Sequence, residues 1–399
     1  MSPSRAVSPA ARPVRWGQGR ISQTLAYYVA FVALGLVAAC FGPTLPALAA
    51  QTNAPLSAIS YLFTAGSLGY LIGSYWGGRL FDRVPGHPLI AAMLLVMAAG
   101  LSVVPALRVV GLLVGVRLIL GLAQSTLDVG ANVLVVWVHG ERVGPFMNGL
   151  HFCFGVGAFL SPLIVARIVQ ISGGIAWAYW ALALLVLPAS LCLLRLPSPT
   201  IQAQPHGPAN ESGNRALVAL IALLFLLYVG AEIAFGDWVF TYALRMNLAD
   251  ATTAAYLAST FWGALTLGRL LAVPIAARLA PRLMLLGDLA GCVVGLGMMV
   301  LWPHSTAVLW LGTFATGFSM ASIYPTLLSL AGCHMALSGQ ITGLFAAASS
   351  VGGMTLPWLI GQLFEPVGPQ VVPAAVLGAM GLALGMFALL DLLVIRRVS

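Results

Sequence analysis

The chain carries ten acidic residues, few enough to weigh one by one, and three of them interrupt long apolar stretches. Asp128 lies in VRLILGLAQSTLDVGANVLVV, and Glu232 and Asp237 lie in LLYVGAEIAFGDWVF. A carboxylate among hydrocarbon groups is costly to keep ionised, so its default reading is a binder of a cation, a proton or a hydroxylated solute. Asp128 has polar company. On a helix of 3.6 residues per turn, Arg117, Gln124 and Asp128 fall within about 40° of one another, with Asn132 next along the stripe. Such a stripe must face protein or water, and the plain alternative is a packing seam between helices. Glu232 is expected near the middle of its helix, as an ion or solute ligand or as the scaffold partner of Arg269 or Arg117. Asp237 is expected nearer the outer surface. Trp238, Trp262 and Phe261 could stack on the apolar face of a sugar whose hydroxyls meet the polar groups. The plain reading of each ring is packing or contact with lipid.

The elements that must hold these residues follow from composition. Of 399 residues, 60% are hydrophobic and 7% charged, with a mean hydropathy of +0.99. A soluble domain has about 25% charged residues, so a soluble enzyme, a secreted disulfide scaffold and a disordered chain are excluded. A membrane-crossing helix needs roughly 20 apolar residues. Apolar runs fall near 22–50, 57–80, 87–107, 109–138, 145–171, 176–196, 216–243, 252–277, 283–303, 306–332, 341–364 and 371–394. The expected fold is an all-α membrane protein with twelve transmembrane helices in two six-helix bundles. Its parts are a tail (1–21), an N-terminal bundle (22–196), a polar Pro/Ser/Asn-rich linker (197–214), a C-terminal bundle (215–395) and a short tail (396–399).

All 18 basic residues are arginines, and their placement orients the chain. With the N-terminus inside, thirteen fall on cytoplasmic segments: Arg5, Arg12, Arg15, Arg20, Arg79, Arg83, Arg142, Arg195, Arg215, Arg278, Arg282, Arg396 and Arg397. Only Arg108 and Arg245 fall outside, while Arg117, Arg167 and Arg269 lie within spans, so the positive-inside rule places both termini in the cytoplasm. The first apolar run is of full span length and no small-residue cleavage site follows it, so the basic N-terminus reads as a retained tail. Asp288 and Asp391 are expected at the cytoplasmic interface. The five cysteines have no paired or metal-ligand spacing and read as small apolar residues.

The halves also look like copies. At an offset of 195 residues, Gly35 meets Gly230, Tyr61-Leu62 meets Tyr256-Leu257 and Gly73 meets Gly268. Arg83 likewise meets Arg278, Gly157 meets Gly352 and Pro162 meets Pro357. Duplicated bundles of this kind build secondary transporters, with the solute site between the halves near midplane.

The segment GGRLFDRVPGHP after the second run resembles the signature of the major facilitator superfamily. Gly78, Asp82, Arg83, Gly86 and His87 match it, with Val84-Pro85 adding one residue, and Arg117 with Gly121 resembles the Arg-x-x-x-Gly of its fourth helix. The resemblance implies that Gly78, Asp82, Arg83 and Arg117 latch one access state; a membrane-edge anchor is the simpler reading of Asp82 and Arg83. Asp128-Val-Gly-Ala-Asn132 resembles a segment of the fucose/proton symporter family, as do GFSMASIYPTLLSLAG (317–332) and SVGGMTLPWLIG (350–361). FGPTLPAL (41–48), GPFMNGLHFCFGVGAFLSP (144–162) and YVGAEIAFGDWVFTYAL (228–244) resemble the sodium-dependent glucose transporter-like branch. Two departures from the fucose symporters bear on coupling. There is no first-helix acid, Gly42-Pro43-Thr44 standing there instead, and His151 stands where those symporters often have Gln.

The expected function is therefore secondary active transport of a small polar solute, a monosaccharide as the leading choice, by alternating access. The coupling ion is sodium or a proton, with Gly42-Pro43-Thr44 tilting the choice toward sodium. Gln124, Asn132, His151, Glu232, Trp238 and Trp262 are the expected solute contacts, and Asp128 and Glu232 the ion-coupling acids. No phosphate-binding loop, catalytic nucleophile or metal-ligand cluster occurs, so no enzyme, no cofactor and no nucleic-acid partner is expected. The expected setting is a monomer in the lipid bilayer of a bacterial inner membrane. An exporter of amphipathic compounds and a non-transporting sensor on the same fold are the alternatives.

Overall fold

The computed structural model describes residues 18–81, 83–199, 215–335 and 339–391. Asp82, the arginines at 5, 12, 15, 396 and 397, and linker residues 200–214 lie outside the described residues. Twelve described helices are long and apolar enough to cross a membrane. In chain order these spans are Gly19–Ala38, Leu56–Phe81, Gly86–Ala106, Val110–His139, Gly144–Ser172 and Ile175–Leu194 in the first half. The second half has Arg215–Arg245, Ala251–Ala276, Pro281–Leu301, Thr306–His334, Gln340–Val367 and Val371–Leu390. The first span starts, and the last ends, on what is here termed the terminal face; the opposite side is the far face.

Three runs that read as continuous in the sequence are divided. The first continues beyond a bend at Ala39–Cys40 as the helix Phe41–Thr52. The second begins with a separate turn, Leu56–Ile59, before Tyr61–Phe81, and the tenth stops at Met320 and restarts at Ile323. Hydropathy alone cannot see such breaks, because the residues on either side are equally apolar. The eighth span shows a conventional start. Asp250 caps it, its Oδ1 accepting the Thr253 N–H at 2.7 Å, and these amide hydrogen bonds hold its carboxyl below the usual carboxylate range.

The two halves repeat one another in their packing. A Cβ on Gly157 would lie 2.1 Å from the Val32 carbonyl oxygen, and one on Gly35 would lie 2.1 Å from that of Phe154. First and fifth spans therefore cross backbone against backbone. At the offset of 195, Gly352 would meet the Leu226 carbonyl at 2.0 Å and Gly230 that of Gly352 at 2.9 Å, the same crossing between seventh and eleventh spans. Only glycine permits approach this close. Leu62 and Leu257 are both buried, while their neighbours Tyr61 and Tyr256 are 48% and 49% exposed.

Contacts between the halves gather toward the far face. The Leu56 N–H donates to Glu365 at 3.2 Å, and Gln362 donates to the Ser57 carbonyl at 2.8 Å and to Ser60 at 3.1 Å. Thr64 donates to the Met354 carbonyl at 3.2 Å, and Tyr61 and Trp358 have ring centroids 6.2 Å apart. Nearer the middle, Phe154 meets Trp262 edge to face at 6.5 Å, and a Cβ on Gly155 would press on Thr266.

Candidate functional site

Two polar clusters stand at different depths between the halves. The outer one centres on Arg117, seven residues into its span and thus about 10 Å from the far end. Its Nη1 donates to Gln124 at 2.8 Å, and its guanidinium lies 4.6 Å from the centroid of the Phe41 ring. It packs against Gly66 of the second span and attracts Asp237 of the seventh. Asp237 is only 6% exposed. The chain bends at Cys40 so that Gly42 can lie on the Asp237 backbone, where a Cβ would come within 2.9 Å of its carbonyl oxygen. Thr44 is buried with its hydroxyl against Tyr179 at 2.8 Å and near the Cys40 carbonyl at 2.9 Å. The Gly42-Pro43-Thr44 oxygens thus belong to this outer cluster, away from Asp128.

The deeper cluster joins the halves at mid-depth. Asp128 accepts hydrogen bonds from Tyr70 of the second span and from Asn132, whose Nδ2 stands 2.9 Å from Oδ1. Asn132 also donates to the Asp128 carbonyl at 2.8 Å, one helical turn back. His151 on the fifth span is exposed, lies within electrostatic reach of both Asp128 and Arg269, and sits edge-on to Phe31. On the other half, Glu232 accepts from Tyr228 one turn earlier and pairs with Arg269 of the eighth span at 3.5 Å. Tyr324, just beyond the break in the tenth span, interacts electrostatically with both Asp128 and Glu232. Two carboxylates, one from each half, thus share one neighbourhood lined by three phenols, an imidazole, an amide and one guanidinium. Such a lining can meet hydroxyl groups with donors and acceptors on opposite sides, and can hold a cation at Asp128.

The expected site residues divide accordingly. Asp128, Asn132, His151 and Glu232 come together. Gln124 lies on the outer cluster, buried and bound to Arg117. Trp238 is fully buried, its indole N–H donating to the Pro357 carbonyl at 3.0 Å and its ring packed on Phe63 and Phe364. Trp262 is 7% exposed and packs on Phe154 across the seam and on its own neighbour Phe261. Asp391, one residue past the last span, is buried against Arg282 at the start of the ninth, both at the terminal face, and Asp288, seven residues into the ninth span, accepts from Ser322. Tyr70, Tyr228 and Tyr324 escaped the sequence reading. Tyr228 was findable from its spacing of four residues to Glu232; the other two arrive from separate helices and leave no local trace.

The sequence profile of the Major Facilitator Superfamily matches residues 27–357. The chain belongs to the Major Facilitator Superfamily. A Major Facilitator chain is a secondary transporter that carries a small solute by alternating access, not an enzyme. Among relatives, sodium-dependent glucose transporter 1A of Mus musculus is 31% identical, over 84% of this chain and 88% of its own length. Sodium-dependent glucose transporter 1 of Xenopus laevis is 32% identical, over 82% of this chain and 72% of its own. The nucleoside transporter NupG, in a crystal structure of a point mutant, shares the fold with a TM-score of 0.75. It has 15% identity and covers 93% of this chain and 99% of that one.

The superfamily's signature residues separate in space. Gly78 and Arg83 stand at the terminal face, where Arg83 is exposed and a Cβ on Gly78 would meet open space. Arg117 instead touches Gly66, which lies roughly 25 Å further up the second span at 1.5 Å per residue. Arg117 therefore cannot form one latch with Arg83. It lies toward the opposite end of the molecule.

Proposed function

We propose that this Major Facilitator protein takes up a monosaccharide together with a downhill cation, sodium or a proton, and that the deeper cluster is where both bind. The observation that carries this reading is the convergence of Asp128 and Glu232, from opposite halves, on one lining of hydroxyl, amide and imidazole groups. A site made by both halves changes shape when they move apart, which is what couples a solute to an ion. Asn132, His151 and Glu232 contact the solute, and Asp128 holds the cation. Trp262 closes the seam beside them, while Gln124 and Trp238 fix the outer wall. The names of these two relatives support a sugar as the cargo.

Orientation follows from the arginines. Arg20, Arg79, Arg83, Arg142, Arg195, Arg215, Arg278 and Arg282 gather at the terminal face, against Arg108 and Arg245 at the far one, which supports a cytoplasmic terminal face in a bacterial inner membrane. With inter-half contacts concentrated at the far face, the state seen here is closed to the outside. Gly78, Asp82 and Arg83 serve as a latch on the cytoplasmic side when that side closes.

The test is uptake of labelled monosaccharides into proteoliposomes under imposed sodium or proton gradients. The parent should accumulate solute under one of the two. Asp128→Asn should abolish accumulation while sparing exchange, because an amide still hydrogen-bonds a hydroxyl and no longer carries charge. Accumulation by Asp128→Asn equal to the parent's would move the coupling site elsewhere.

A further inference from the structure

The Tyr228 phenol has one hydrogen and two acceptors. It contacts a Glu232 carboxylate oxygen and lies 3.0 Å from the Met320 carbonyl. Met320 is the last residue of the helix Thr306–Met320, before the break at Ala321–Ser322. Carbonyls in the last turn of a helix lack partners within it and must find them elsewhere. Tyr228 is fully buried, its ring fixed in the core, so its hydroxyl proton can only rotate between the two acceptors. Ser322, on the other side of the same break, donates to Asp288 of the ninth span. The break is therefore held from two neighbouring helices, and one of the two holds is shared with the solute site.

We infer that Tyr228 is a positioning residue that transmits the occupancy of Glu232 to the break in the tenth span. While Glu232 takes the phenol hydrogen, the Met320 carbonyl is left without it and the break is loose. A solute hydroxyl that donates to Glu232 displaces Tyr228, whose hydrogen then passes to Met320 and stiffens the break. Tyr324, four residues beyond Met320, is fixed or freed with it. No covalent bond changes; one hydrogen bond is exchanged for another. The groups that act on this carboxylate and phenol are Arg269 on the eighth span, Cys292 on the ninth and Tyr324 on the tenth. The solute's part rests on the proposed site; the competition for one hydrogen does not.

Hydrogen–deuterium exchange of the full chain in nanodiscs, read on peptides covering 318–327, tests the two parts separately. Without solute, Tyr228→Phe should exchange at the break as the parent does, because Glu232 already holds the phenol hydrogen; passing that hydrogen to Met320 should slow exchange by about threefold to tenfold, the effect of one net hydrogen bond. Glu232→Ala should exchange more slowly there than the parent, because the phenol is released to Met320. Glu232→Met serves if that variant is poorly produced. The double variant should behave like Tyr228→Phe alone. Faster exchange in Glu232→Ala and Glu232→Met, or additive effects in the double variant, would overturn the inference, since a merely structural tyrosine gives that result. Glucose added to the parent should slow exchange at the break, and should not do so in Tyr228→Phe. If glucose and other monosaccharides fail to bind the parent, the proposed function falls while the solute-free comparison still judges Tyr228.

Discussion

Glu232 and Asp237 lie five residues apart on the same helix and each faces an arginine, yet the two partnerships differ in what they join. Glu232 and Arg269 belong to one half, with side chains 14% and 26% exposed. Asp237 is more deeply buried, and its arginine comes from the other half. A pair within one half survives any motion of the halves and is free to serve a ligand. A pair across the seam must part whenever the far side opens, so its attraction is part of the barrier between states. On the proposed function, the same two residue types serve recognition at one depth and closure at another, and burial together with the identity of the partner decides which.

The largest expected effect comes from the sealed pair. Asp237→Ala leaves the buried Arg117 with Gln124 and the Phe41 ring but without the carboxylate that attracts it from the other half, and should cost on the order of 1–3 kcal/mol of stability. Thermal unfolding in detergent measures it, and the double change Arg117→Met with Asp237→Leu should recover most of the loss. Parent-like unfolding of the single variant would break the comparison.

A smaller effect on stability, with a larger one on function, is expected at the open pair. Glu232→Gln should change stability by less than about 1 kcal/mol, because its arginine stays reachable by water. Solute binding should weaken by about tenfold, measured by calorimetry or scintillation proximity. If the variant unfolds as readily as Asp237→Ala, the two acid–arginine partnerships are alike and depth does not separate their roles.

The smallest effect lies outside both clusters. Asp250→Ala removes the cap of the eighth span and should lower the melting temperature by only about 1–2 °C at neutral pH. The carboxyl is held below its unfolded value, so its contribution is present above the unfolded pKa and disappears as pH falls through the folded one. Parent and variant should melt together in acid below that point; a difference that persists there would assign the effect to something other than the cap.

The fold was legible because membrane burial writes itself into composition. Twelve apolar runs, the arginine asymmetry and the glycine matches at 195 residues need no tertiary information. Gly157 and Gly352 even mark equivalent crossings, since each leaves no room for a side chain. The site was legible only along single helices. Asp128 and Asn132 announce themselves by their spacing, and Glu232 by standing alone in an apolar stretch. Tyr70 and Tyr324 look like any membrane tyrosine until three helices converge. Trp238 shows the opposite failure: its ring suits a sugar, but its indole N–H is already engaged by Pro357. Sequence spacing gives direction around one helix axis and says nothing of what occupies the other side.

The glycine crossings of the first with the fifth span and the seventh with the eleventh carry a mechanical consequence. Backbones in contact leave no compliant layer of side chains between them, so neither half can bend at its centre. Each half is then a lever whose fulcrum lies near the proposed solute site. Small displacements at mid-depth are magnified toward both faces in proportion to distance, and a slight loosening around a bound molecule suffices to part the ends of the helices.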